Sequence, residues 1–286
     1  MKYKDFDIVF TKPLHNITDL KIKREIGEHS KLYLYAVKSE RYALEMDFND
    51  NIQVTREEKV VFCGYVYTAA VKVINHVHYL ELEAIAYTYD FDIVKKYRSF
   101  QDLSMTYQDI LNEVMSDYPK AEYIDTITKG KVIDDIIVQY NETDWEFMKR
   151  LASHFGKGIV CEDKAFYPRL FFGLPEYNDI TEVEEKSYIR CKNLEDYIDT
   201  VSNFQSSIND RDKISYQIET YQYFNICEIL KYKYQPLVIT KIETYIKQEE
   251  ILHKYYITTK DGAGQNFIEN KNIKGARIGG VIKEIQ

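Results

Sequence analysis

QYNETDWEFMKRLASHFGKGIVCED, residues 139–163, passes from a strand-like run through a well-marked helix into a second strand-like run. Thr143 stands where an N-cap belongs, Glu146 three residues later completes a capping box, and Asp144 lies at the positive end of the helix dipole. Trp145, Met148, Leu151, Ala152 and Phe155 recur at steps of three and four, which draws a single apolar stripe. Gly156 follows as a left-handed stop, and His154 sits near the negative end of the dipole. The spacing predicts one helix laid on a sheet. The flanks say what kind of sheet.

Upstream, KLYLYAVK, YALEMDF, IQVTR, VVFCGYVYTAAV and YLELEAIAY are apolar-alternating runs separated by the polar breaks SER, NDN, EEK and NHVH. In YLELEAIAY, Leu80, Leu82, Ala84 and Ala86 share one face while Glu81 and Glu83 take the other, as in an antiparallel sheet with one dry side. SMTYQDILNEVMSDYP then places Ile110, Leu111, Val114, Met115 and Tyr118 on a second helical stripe, closed by Pro119. KGKVIDDIIVQY reads as a strand, and GIVCED with AFYPRLFFG as a hairpin. Downstream, TVSNFQSSIND, DKISYQIETY, ICEILKYKYQPLVITKIETYIK and ILHKYYITTK alternate again. VVFCGYVYTAAV…HYLELEAIAY and PLVITKIETYI…LHKYYITTK share a plan: a long strand, a short polar break, then a Tyr-rich strand.

The expected class is therefore mainly β with an α/β insert, as two small antiparallel β-barrel domains bridged by a two-helix α/β region. The expected divisions are residues 1–96 for the first barrel, 97–189 for the insert, 190–261 for the second barrel and 262–286 for an extended lead-out.

Composition excludes several functions. The 286 residues carry a net charge of −8 with basic residues scattered among acids, which argues against direct nucleic-acid recognition. No apolar run is long enough to insert in a membrane, and Asp5 and Asp7 interrupt the place of a signal peptide's apolar core, so synthesis in the cytoplasm without a leader is expected. Cys63, Cys161, Cys191 and Cys227 lie far apart and are read as reduced thiols. The 26 tyrosines against 11 glycines and 5 prolines suit half-buried strands and extensive interfaces.

Motifs of chemistry are missing. His76 and His78 are two apart and could share a strand face as metal ligands, but no third ligand lies near, so an exposed strand end is the plainer reading. GAGQNF, residues 262–267, lacks the strand–turn–helix setting of a phosphate cradle. Asp134 with Asp135, or Glu182 with Glu184 and Glu185, have the look of paired hydrolase carboxylates but read better as solvated loops. No catalytic residue, cofactor or metal is expected.

The order of a β unit, a helical insert, a strand–helix–strand and a second β unit resembles the baseplate hub proteins of contractile phage tails and tail-like injection systems, the late-control protein D and VgrG group. Gln139, Tyr140, Glu142, Asp144, Phe147, Arg150, Leu151, Ala152 and Gly156 carry the resemblance, with Trp145 beside them. FCGYV (62–66), YLELEAIAYTYDFD (79–92), RSFQDLSMTYQDILNEV (98–114) and QPLVITKIETYIKQEEILHKYYI (235–257) agree with it more loosely. The resemblance implies that the helix belongs to an insert bracing two barrels, so that its motif residues pack and do not react. It further implies a homotrimer adapting a sixfold tail tube to a threefold spike, with the tube protein, the spike protein and baseplate wedge proteins as partners in a phage tail or tail-like particle. Arg277, Ile278, Gly279, Gly280, Val281 and Ile282 would then mark the spike junction, about where the chain ends. The competing classes are a tail-tip cell-wall hydrolase using the acidic pairs, and a monomeric β-rich module binding carbohydrate or a receptor.

Overall fold

The computed structural model describes residues 6–10, 15–38, 50–184, 187–192, 214–247 and 250–273, with side chains from residue 17 onward. The expected strands YALEMDF and TVSNFQSSIND, and Arg277 to Ile282, lie outside the described residues.

Among the described residues six strands open the chain: β1 Phe6–Phe10, β2 His15–Glu25, β3 Lys31–Lys38, β4 Asn51–Arg56, β5 Lys59–Ile74 and β6 Val77–Ala86. A 3-10 turn, Tyr87–Asp92, leads into the insert: β7 Lys95–Phe100, α1 Tyr107–Met115, β8 Glu122–Asp125, β9 Ile137–Thr143, α2 Asp144–Ser153, β10 Ile159–Cys161 and β11 Arg169–Phe172. The second β unit comprises β12 Ile180–Glu182, β13 Ser187–Lys192, β14 Ile214–Thr220, β15 Ile229–Tyr232, β16 Gln235–Lys247 and β17 Glu250–Thr258. The mainly β class with a two-helix insert therefore holds. The strand expected from residue 129 begins only at Ile137, because Lys129 and Gly130 take positive φ and turn the chain first.

The two β units are halves of one twelve-stranded sheet, ordered β1-β4-β5-β6-β3-β2-β16-β17-β14-β13, with β15 on β16 and β12 on β15. Antiparallel pairing of β2 with β16, from Lys241↔Glu25 to Tyr245↔Lys21, carries the ladder across the boundary. Among the described residues this path does not close into two separate barrels: the first unit's edge strand β2 pairs with β16 inside the second unit.

The units repeat each other. Strands β2 to β6 and β13 to β17 follow the same chain order and the same sheet order, β4-β5-β6-β3-β2 against β15-β16-β17-β14-β13. The agreement reaches single residues. Tyr67 is the bulge between Val66↔Ala84 and Thr68↔Glu83, and Thr240 is the bulge between Ile239↔Ile257 and Lys241↔Tyr256, equally far from the hairpin turn. Just before each bulge a backbone bond reaches outward, from Val66 N–H to the Asp50 carbonyl and from Ile239 N–H to the Glu228 carbonyl. The bulge bends the long strand and raises its twist at the same point in both units.

Two cores form, one per unit, and the insert joins them. Leu20, Ile22, Leu32, Leu82, Phe62 and Phe91 share the first core with Ile110 and Leu111 of α1 and with Trp145, Phe147, Met148 and Leu151 of α2. Ile218, Leu230, Ile239, Ile242, Tyr255 and Ile257 build the second. Strand alternation in β10 places Ile159 and Cys161 in the first core and Val160 in the second. In β11, Leu170 and Phe172 likewise face the first core while Phe171 packs on the second. The seam of the molecule is this hairpin.

Candidate functional site

The helix α2 begins on a formed capping box: Thr143 Oγ1 accepts from the Glu146 N–H, and Glu146 accepts from the Thr143 N–H. Trp145, Met148, Leu151 and Ala152 are buried, and Trp145 lies against the His29 ring at 4.0 Å between centroids. Phe147, also buried, stacks on Phe100. Gly156 takes φ +66, and the Lys157 N–H reaches back to the Ala152 carbonyl, which ends the helix in the left-handed manner.

The polar motif residues are buried as well, and each has partners. Asp144 is fully buried and accepts from Arg98 Nη1 at 2.5 Å, Lys96 Nζ at 2.7 Å, Tyr118 Oη at 2.7 Å and Gln139 Nε2 at 2.9 Å. Burial works against its negative charge, but these donors outweigh it and hold the carboxyl below the usual aspartate value. Asp117, at the surface, accepts from the same Lys96 and Arg98. Glu142 and Arg150 form a two-point ion pair at 2.9 Å, and Arg150 also donates to the Val138 carbonyl. Tyr140 is half-buried and its ring meets Tyr97 edge-on.

Between them, Asn141 takes φ +52 as the extra residue of a bulge where β9 pairs with β7. The bulge turns two carbonyls away from the ladder, and residues from the far end of the chain cap them: Asn270 Nδ2 donates to the Tyr140 carbonyl and Asn272 Nδ2 to the Asn141 carbonyl, both at 3.0 Å. Phe267 stacks on His154, the Ile268 N–H donates to Ser153 Oγ, and the Gln265 N–H donates to the Gly156 carbonyl. Residues 265–272 are thus a strap across the C-terminal half of α2.

A second buried pair sits at the sheet junction. Arg24 of β2 donates through Nε to Asp163 at 2.7 Å and through Nη2 to the Val61 carbonyl, both side chains being nearly inaccessible. The sequence offered no pointer to these partners. Lys96 and Arg98 are two apart on one strand and so share a face, but nothing local says that Asp144 waits there.

The acidic candidates do not converge. Asp134 pairs with Lys131 at the surface, Glu182 pairs with Lys231, the Glu184 N–H binds Gln222, and Glu185 lies outside the described residues. His76 occupies a turn at φ +61 while His78 lies in β6, so the two do not share a strand face. Among the described residues no group of three metal-ligating side chains forms, and no helix is long and apolar enough to cross a membrane. The four cysteines are free, and burial pushes Cys63 and Cys227 up to about 12.

Residues 29–165 match the family model described as phage tail baseplate hub (GPD), which covers most of the first core, both helices and the motif around residues 139–156. Among solved structures, the chain is similar to the 43 kDa tail protein of prophage MuSo2 from Shewanella oneidensis, with a TM-score of 0.70 at 10% identity over 92% of this chain and 98% of that one. It is similar to the E. coli c3393 protein, a type VI secretion system component, with a TM-score of 0.69 at 9% identity over 91% of this chain and 79% of that one. A tail protein from Neisseria meningitidis MC58 gives 0.68 at 8% identity over 90% and 96%. No curated protein sequence matches significantly. The family's domain thus corresponds to residues 29–165, the part that carries both helices, and the fold is shared with solved tail proteins along nine-tenths of the chain.

Proposed function

We propose that this chain is the structural hub of a contractile tail or tail-like injection particle, a homotrimer that adapts a sixfold tail tube to a threefold central spike. The observation that carries the reading is the internal repeat. Two units of the same strand order and the same bulge position give three chains six similar faces, while the chain itself repeats three times. The buried charge network of α2 supports a bracing role: its ionisable groups are paired with one another, which leaves none poised for acid–base chemistry, and the chain acts without catalysis. The divisions at residues 1–96, 97–189, 190–261 and 262–286 serve as first tube-like unit, brace, second tube-like unit and lead-out, with 277–282 at the spike.

The face of the sheet opposite the cores suits the lining of a channel. Lys21 with Glu243, Lys241 with Glu25, and Lys31 with Glu83 pair across strands at about 3 Å, so the face is charged in detail and balanced overall. The partners in this reading are a tail tube protein above, a spike protein below and wedge proteins around. The test is the native mass of the purified chain, expected at three times 34.0 kDa, followed by the composition of purified particles. A chain absent from the particles removes the hub reading.

A further inference from the structure

We infer that β13 of one copy docks as an added strand on residues 68–72 of β5 in the next copy, in the register that β2 and β16 use inside the chain. The inference rests on the homotrimer reading and names the surfaces that would build it. The argument starts from the repeat. At its N-terminal half β5 pairs with β4, as β16 does with β15. Past the bulge, the C-terminal half of β16 takes β2 as its outer neighbour. The corresponding half of β5 has β6 on one side, and no strand among the described residues on the other. Strand β13, the counterpart of β2, ends the sheet at the opposite extreme and among the described residues pairs with β14 alone. Among the described residues, one chain therefore carries an internal junction and the two unfilled halves of a second one.

Burial reports the same gap. Ile242 and Thr244 are buried beneath β2, whereas their counterparts Ala69 and Val71 are only half-buried. Val73, Ile74, Tyr188 and Ile189 are 58%, 51%, 51% and 57% exposed, an unusual density of apolar groups for two open edges. Carrying the internal register across, Glu243↔Lys23 becomes Ala70 opposite Cys191, Thr244↔Ile22 becomes Val71 opposite Arg190, and Tyr245↔Lys21 becomes Lys72 opposite Ile189. One step further, Val73 meets Tyr188, so exposed apolar groups of both edges cover each other. Because the two edges differ, the contact is head-to-tail and closes a ring only when the rotation allows it. Where the internal junction uses the ion pairs of Lys21 and Lys241, this one sets Ala70, Cys191 and Ile189 beside Lys72, which is paired with Glu81 of its own chain, a less charged seam between copies.

The register predicts a bridge from one substitution. Ala70→Cys places a thiol opposite the native Cys191 on the same face of neighbouring strands, within disulfide reach. On oxidation, most of the full-length chain is expected to migrate on a non-reducing gel as covalent multimers ending at the trimer. Wild type, Val71→Cys, whose side chain faces the opposite side, and Ala70→Cys with Cys191→Ser are expected to stay uncrosslinked. Lys72→Cys with Ile189→Cys is a second pair and guards against local failure of the first. A native trimer in which neither pair bridges overturns the register and leaves the trimer standing. A folded chain that is monomeric and unbridged overturns both.

Discussion

Asp144 carries more of the brace than its place in a helix first turn suggests. Its carboxylate receives Lys96, Arg98, Tyr118 and Gln139 in a fully buried position, so removing its charge strands two cations with only Asp117 to share. Asp144→Asn is expected to cost about 3 kcal/mol, at the low end for breaking a buried pair because Asp117 remains; equilibrium denaturation measures it, and a loss under about 0.5 kcal/mol would show that the network is idle. Gly64 shows another local constraint: a Cβ there would stand 2.1 Å from the Ile85 backbone oxygen, so the glycine of FCGYV is needed for close strand approach. His154, half-buried, and His253, buried, set a pH dependence. Burial, with Arg150 and Lys131 nearby, pushes His154 down to about 4, and burial with Arg24 and Arg56 pushes His253 down to about 3. The unfolded chain takes up these protons near pH 6.5 while the folded chain does not. Stability is therefore full above about 6.5 and falls as the pH drops through 4 towards 3. Thermal unfolding followed between pH 7 and 4 is expected to show the decline, and His253→Gln to flatten part of it.

At the scale of elements, α2 is held by its apolar stripe. Trp145→Ala removes a ring that is 3% exposed and lies tilted against His29, with an expected loss of about 3–5 kcal/mol. Chemical denaturation of the variant gives the value, and near-neutrality would place the stripe outside the core. The hairpins contain a different feature. Glu57-Glu58, Asn75-His76 and Lys233-Tyr234 are two-residue turns with both residues at positive φ, a conformation that favours Asn-Gly and penalises other side chains. Replacing Glu57-Glu58 with Asn-Gly is expected to stabilise by about 1 kcal/mol, read as a higher denaturation midpoint with unchanged slope. The polar breaks EEK and NHVH were visible in the sequence as interruptions, but turns of this type are hard to foresee without glycine in them.

For the whole molecule, the junction between units depends on Arg24 and Asp163, which tie β2 to the loop after β10 beneath the β2–β16 ladder. Asp163→Ala leaves a guanidinium that is 4% exposed without its carboxylate and is expected to cost about 3–5 kcal/mol. Hydrogen exchange is expected to quicken first along β2 and β16, and uniform protection loss would instead mean that the two cores unfold as one. The strap of residues 265–272 acts at the same scale, returning the end of the second unit onto the helix of the insert.

Sequence by itself determined what local chemistry controls. The capping box at Thr143 and Glu146, the stripes of both helices, the stop at Gly156 and the alternation of β3, β6 and β17 are relations among residues a few places apart; the structure keeps them, except that Tyr118 and Phe155 fall just past the helix ends and β5 and β16 each bury three residues in a row before the bulge. The likeness of the two hairpins was also visible, as a shared plan of strand, break and strand. Only the tertiary structure decided that β2 and β16 pair to make one sheet, that Asp144 meets Lys96 and Arg98, that Arg24 meets Asp163 and that a tail with little periodicity straps α2. Those contacts join residues far apart in the chain, where many pairings satisfy the same pattern and packing selects among them. The bulge at Asn141 is the clearest case: its freed carbonyls attract Asn270 and Asn272 only because the fold brings both ends of that loop together.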